Sequence, residues 1–255
     1  MTNTRFSASD LRGRAWNAMT ETWTTVLAIT FVINLVSLIV GEITGMLPPL
    51  VGSILSLAVS IVLIVPQMGL VRGALDHLRR GAFTFEHISS MFPYWKQMIC
   101  YSLWEGLFVF LWMLPGMILT FIGSGILISA QDGTAPVALG GIIVCIGMCL
   151  TFVLVIRAAF NYSLGACCIV DNPTMGGCAA LEKSKQLMRG HRWLFFKMGL
   201  PIFLMSVLIA AIAGVLMNKL DPTLLSIITS ILTIAPQIMS MYLAPVLYEE
   251  VNHIS

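Results

Sequence analysis

Charge in this 255-residue chain is confined to short clusters, and between them lie six stretches without Asp, Glu, Lys or Arg: residues 22–41, 43–71, 106–131, 133–156, 198–218 and 222–248. Each is long enough to cross a hydrocarbon layer of about 30 Å, which takes roughly 20 residues of helix. With 58% hydrophobic and only 10% charged residues, the chain lies outside the balance of a water-soluble globular domain. The expectation is an all-α, polytopic membrane bundle.

A second feature organises these stretches. Residues 11–67, moved along by 170 positions without a gap, fall on residues 181–237 with Leu11 on Leu181, Trp23 on Trp193 and Pro66-Gln67 on Pro236-Gln237. Ser56, Ser60, Ile61 and Ile64 meet Ser226, Ser230, Ile231 and Ile234 in the same register. This predicts an internal duplication, a common way to build polytopic membrane proteins. One membrane domain over 1–255 then divides into a first hairpin repeat at 11–71, a middle long hairpin at 72–170 and a second hairpin repeat at 174–248.

The punctuation fits that plan. Ser7 or Ser9 caps a helix over 9–21 with Leu11, Ala15, Ala18 and Met19 on one face, which predicts an amphipathic helix lying in the interface. Trp23 marks the membrane surface, Leu47-Pro48-Pro49 turns the first hairpin, and Arg72 closes it. Residues 72–94 and the segment from Asp171-Asn172-Pro173 to Gly190 read as second and third interfacial elements. The apolar stretches from Trp95 to Ala130 and from 137 to 170, joined by Asp132-Gly133, are about 50 Å each as helix. They form two long spans with a kink at Pro115, giving six in all, or four short ones, giving eight. Asp221-Pro222 restarts the chain before the last span.

Of 14 Lys and Arg, all except Arg157 and Lys219 fall in the N-terminal segment, residues 72–96 or residues 183–197, so these segments and both termini are expected in the cytoplasm. The polar first 21 residues make the first span its own uncleaved signal. Cys100, Cys145, Cys149, Cys167, Cys168 and Cys178 lack metal spacing and are expected as buried free thiols.

The run Tyr162-Ser163-Leu164, Asp171-Asn172-Pro173, Ala180, Ser184-Lys185, Met188 to Trp193 and Phe196, together with Leu111-Trp112, Leu114-Pro115-Gly116 and Ala15 to Trp23, resembles the bacterial integral-membrane family of domain of unknown function 975. Many members pass more directly from Pro-Gly to the Tyr-Ser segment, and this chain carries extra apolar sequence at about 117–156. The resemblance implies a multi-pass protein of the bacterial cell membrane and brings no reaction with it.

Three groups of residues are candidates for chemistry. Pro66-Gln67 and Pro236-Gln237 free the carbonyls of Val62 and Leu232, and their glutamines either make a helix–helix hydrogen bond or line a polar cavity between the repeats. Glu105 and Arg157 lie deep in apolar sequence and are expected to pair, as a structural bridge or as part of an ion pathway. Lys183, Lys185, Arg189 and Arg192 form a basic interfacial helix that holds topology or recruits anionic lipid or a protein partner. His77, His87, His191 and His253 are scattered, so no metal site or cofactor is expected, and no P-loop, HExxH or nucleophile elbow points to an enzyme. The functions in play are transport or lipid handling through a polar cavity between repeats, and a non-catalytic accessory or structural role through a partner; nucleic acid is not expected as a partner.

Overall fold

The computed structural model describes residues 7–81, 83–84, 86–131, 137–216 and 221–252. The expected Asp132-Gly133 turn, Lys219 and His253 lie outside them. Helix α1 (Ala8–Met46) starts at Ser7, whose side chain accepts a bond from Ser9 N at 3.3 Å, and runs 39 residues without a break. Residues 9–21 are therefore continuous with the first span, because nothing between Glu21 and Thr24 interrupts the helical ladder. Pro48 turns the chain into α2 (Pro49–Arg80), which continues through Arg72 and stops at Gly81 in the left-handed region, φ +71°. Gly52 lets the turn close: a Cβ there would lie 2.7 Å from the Thr44 carbonyl oxygen.

Short α3 (Glu86–Ser89) and a 3-10 turn over Phe92–Tyr94 lead into α4 (Trp95–Gln131), in which Pro115 is accommodated without a break. α5 (Val137–Tyr162) is followed after two residues by α6 (Gly165–Asp171). α7 (Gly177–Leu187) is a separate amphipathic helix, set off from α8 (Arg192–Leu216) by Gly190 at φ +88°. α9 (Pro222–Asn252) ends the described chain. Among the described residues six helical segments are long and apolar enough to cross a membrane, which makes the molecule an all-α, multi-pass protein.

The core is not at mid-length. Leu75, Met98, Tyr101, Leu164, Ile169, Leu181, Met188, Tyr242 and Leu247 are fully buried, and they gather where the charged segments meet. Along the spans Leu57, Phe121 and Val215 remain 63%, 71% and 68% exposed. The division follows from the two solvents: lipid tails are as apolar as leucine, so hydrophobic burial is strong only where water is the alternative. Cys167 and Cys168 share the core, whereas Cys100, Cys145, Cys149 and Cys178 are exposed, correcting the expectation that the thiols are buried. Cys100, Cys145 and Cys149 lie on the long apolar helices α4 and α5, where an apolar thiol is as well solvated by lipid as by protein, and Cys178 is on the exposed side of α7.

Helices α4 and α5 pair with each other more extensively than any other two. Their backbones approach closely at Gly116, Gly123, Gly140 and Gly147; a Cβ on Gly147 would sit 2.7 Å from Thr120 N and one on Gly123 2.7 Å from Val144 N. Small residues of this kind replace hydrophobic drive with close van der Waals packing. Around them α1 packs on α2 and α9, and α9 on α8. A Gly147→Leu substitution is expected to destabilise the hairpin by roughly 1–3 kcal/mol through overpacking. Gly141→Leu on the same helix, where a Cβ meets nothing within 4 Å, serves as control. Thermal unfolding of the purified protein checks this, and equal midpoints for the two variants would contradict the close approach.

Candidate functional site: the basic end and the groove between the hairpins

The long helices converge on a set of charged groups at one end of the molecule. Arg79, in the last turn of α2, places Nη1 2.5 Å from Asp171 Oδ1 and Nε 2.8 Å from Glu249 Oε1. The Tyr248 hydroxyl donates to Asp171 Oδ2 at 2.9 Å, so one guanidinium and one carboxylate tie together α2, α6 and α9. Two turns earlier, Arg72 donates to Asp76 Oδ2 at 2.8 Å and to the Val170 carbonyl at 3.1 Å, and His87 Nε2 lies 3.3 Å from the same Asp76 oxygen. The second contact satisfies a carbonyl near the C-terminus of α6 with a cation, as the helix dipole favours.

Helix α1 joins this lock from the other side. Arg14 pairs with Glu250, which brings the two ends of the described chain together. Glu21 lies 3.3 Å from His77 Nε2. The Thr22 hydroxyl donates to the Ala18 carbonyl at 3.0 Å, which leaves the Tyr242 hydroxyl as donor in their mutual bond of 2.5 Å. Behind the lock, Ser184 donates to the Asn161 carbonyl at 2.9 Å and accepts from Leu164 N at 3.2 Å, fixing α7 on the α5–α6 break.

The sequence reading missed Asp76, Arg79, Asp171, Tyr248 and Glu249 as a group, having ended α2 at Arg72. Two signals were present. Leu70, Ala74, Leu75 and Leu78 continue the apolar face of the helix past Arg72, and Arg72 and Asp76 have the i,i+4 spacing of a helical ion pair.

The expected site residues are not brought together. Gln237 accepts from Asn34 Nδ2 of α1 at 3.0 Å, whereas Gln67 is exposed and makes no hydrogen bond among the described residues. Pro66 and Pro236 each lie inside an unbroken helix. Glu105 and Arg157 do not pair, a correction to the expectation. The Arg157 guanidinium lies over the Trp112 ring, 5.6 Å from its centroid, while Glu105 lies beside the Tyr101 hydroxyl. Their positions on α4 explain it: Trp112 is seven residues beyond Glu105, about 10 Å along the helix. Of the basic set, Lys185 and Arg189 face a cavity against α4 and α5, and Arg192 Nε is buried without an acceptor. No group of three metal-ligating side chains occurs among the described residues.

Two cavities lie beside the contact of the first hairpin with the last. At the basic end, Arg14, Arg79, Glu249, Glu250 and Asn252 line a polar depression of about 450 Å³. Further along, Trp16, Trp23, Leu27 and Phe31 of α1, Met205 of α8 and Ile231, Ile234 and Ile238 of α9 line an apolar groove of about 570 Å³. The α1 residues follow the helical period, and from Trp16 to Phe31 the groove runs about 22 Å. Neither cavity is lined by Gln67 or Gln237. At its basic end the groove adjoins a narrow cleft that includes Arg12.

The lock makes a quantitative expectation. A double-mutant cycle on Arg79→Met and Asp171→Asn, read by thermal or denaturant unfolding, is expected to give a coupling of roughly 0.5–3 kcal/mol. Additive effects, or an equal loss from Arg80→Met at the neighbouring exposed arginine, would show that Arg79 is not the tie.

No curated protein and no solved structure matches this chain. The family described as protein of unknown function (DUF975) matches residues 1–250, nearly the whole sequence. An all-α chain of six apolar spans, locked at its basic end, thus belongs to that family.

Proposed function

We propose that the protein is a non-catalytic lipid-handling protein of the cell membrane, which takes an acyl chain from the side into the groove between its first and last hairpins. The observation that carries this reading is the groove itself: it is apolar, it opens sideways, and its length of about 22 Å exceeds the roughly 15 Å of one leaflet's hydrocarbon. Arg12 stands at its basic end without an ion pair among the described residues, placed to meet a lipid headgroup. The hydrogen bond of Asn34 with Gln237 joins two helices, and neither residue lines the apolar groove. This supports lipid handling over passage of a polar solute.

In this reading the basic end faces the cytoplasm with both termini, as positive charge near short loops favours. The two hairpins descend from one duplicated unit. Arg79 and Glu249, which pair across the lock, are themselves 170 positions apart, the offset of the sequence repeat.

A second reading, an accessory or structural protein acting through a partner, draws on the self-neutralised lock, in which the polar groups serve to hold helices. The two are separated by filling the groove. Met205→Trp with Ile231→Trp should remove about one tightly held lipid per chain from protein purified in mild detergent, since a ligand-sized cavity is occupied by side chains instead. Lipid extraction and phosphorus assay read the result; unchanged lipid content in a stable double variant sinks lipid handling at this groove and favours the partner reading.

A further inference from the structure

A different cavity lies on the far side of the basic end, between α7 and the α4–α5 hairpin. Its volume is about 290 Å³, and Phe108, Tyr162, Glu182, Lys185, Gln186 and Arg189 supply most of its wall. Glu182 and Lys185 fall at i and i+3 along α7 and Arg189 lies in the turn two residues past its end, so all three charges line the cavity beside two rings packed 6.0 Å apart, centroid to centroid.

The charges in this cavity are unlike those of the lock. Arg14, Arg72 and Arg79 each meet a carboxylate, whereas Lys185 and Arg189 form no ion pair among the described residues, with Glu182 or with any other acid. Two cations against one anion leave the cavity net positive and short of acceptors. Tyr162 also lines the cavity and brings a hydroxyl donor to it. A singly charged oxyanion answers this set, and Glu182 disfavours a dianion by repulsion.

Its position selects the source of that anion. Trp193, stacked on Phe196 and carrying Lys197 over its ring, opens α8 just beyond α7 and sets this level at the membrane–water interface. From Phe108 the exposed flank of α4 continues through Leu107 and Leu111 into the apolar spans, where acyl tails lie. A volume near 300 Å³ is at the lower end of small-ligand sites and suits a headgroup rather than a whole lipid. We infer that the cavity of Tyr162, Lys185 and Arg189 is a binding site for the phosphate of an anionic phospholipid. The site is separate from the groove and does not depend on it.

The test uses the full chain in detergent, titrated with phosphatidylglycerol, phosphatidylcholine or inorganic phosphate and read by native mass spectrometry. Wild type should hold phosphatidylglycerol in preference to phosphatidylcholine, and millimolar phosphate should not displace it. Lys185→Gln with Arg189→Gln should weaken phosphatidylglycerol about thirtyfold, from two surface cations near an anionic lipid. Glu182→Gln should tighten it severalfold, a change of opposite sign that a loss of folding does not produce. The inference is overturned if the double variant binds as wild type does, or if Arg80→Gln, at an exposed cation outside the cavity, causes the same loss. Displacement by phosphate alone would assign the site to a soluble anion and overturn the lipid source.

Discussion

Arg79 is the residue on which the arrangement of helices depends most. Apolar helices in lipid gain little from burying leucine against leucine, so their mutual placement needs contacts of another kind. At the basic end those contacts are available because water is near, and the Arg79 guanidinium reaches Asp171 and Glu249 at once while Tyr248 holds the other oxygen of Asp171. Asp171 and Glu249 are partly buried, with side chains 24% and 12% exposed. A partly buried charge there stays ionised only while its partners remain in place, which makes the fold specific at this end.

Away from the lock the molecule relies on steric fit. The α4–α5 hairpin has glycine close approaches along its length, to Thr151, Thr120, Val144 and Leu127, and the outer hairpins meet through α1 and α9 with α2 and α8 at their flanks. Equivalent helices of the sequence repeat are therefore not interchangeable in their packing. α1 has α9 as a close neighbour, while α2 makes no comparable contact with α8 among the described residues. That asymmetry accompanies a groove between α1, α8 and α9, and the two Pro-Gln steps line neither cavity between the outer hairpins.

Much of the fold was legible because charge exclusion from a membrane is a strong, local signal: the six uncharged stretches each mark one of the long helices, and the Gly81 and Gly190 stops and the Pro48 turn fall where helices begin or end. The continuity of α1 and α2 through their polar ends was not legible, since Arg12, Arg14 and Arg72 look like termini when only hydropathy is read. The lock was harder still, because Asp76, Arg79, Asp171 and Glu249 are far apart in sequence and only the return of three chain segments to one end unites them. Glu105 and Arg157 show the opposite failure. Two charges of opposite sign within apolar sequence invite pairing, yet an aromatic ring at Trp112 gave the arginine a nearer partner.

The proposed lipid site requires that water be excluded from the space between the first and last hairpins. Spin labels placed singly at Leu27→Cys, Ile231→Cys and Gln237→Cys, in the full chain with its native cysteines replaced and reconstituted in bilayers, test this directly. Collision with dissolved oxygen and exclusion of a water-soluble nickel chelate at all three positions is the result predicted. Strong relaxation by the nickel chelate at Leu27 and Gln237 would place water between the hairpins and contradict it.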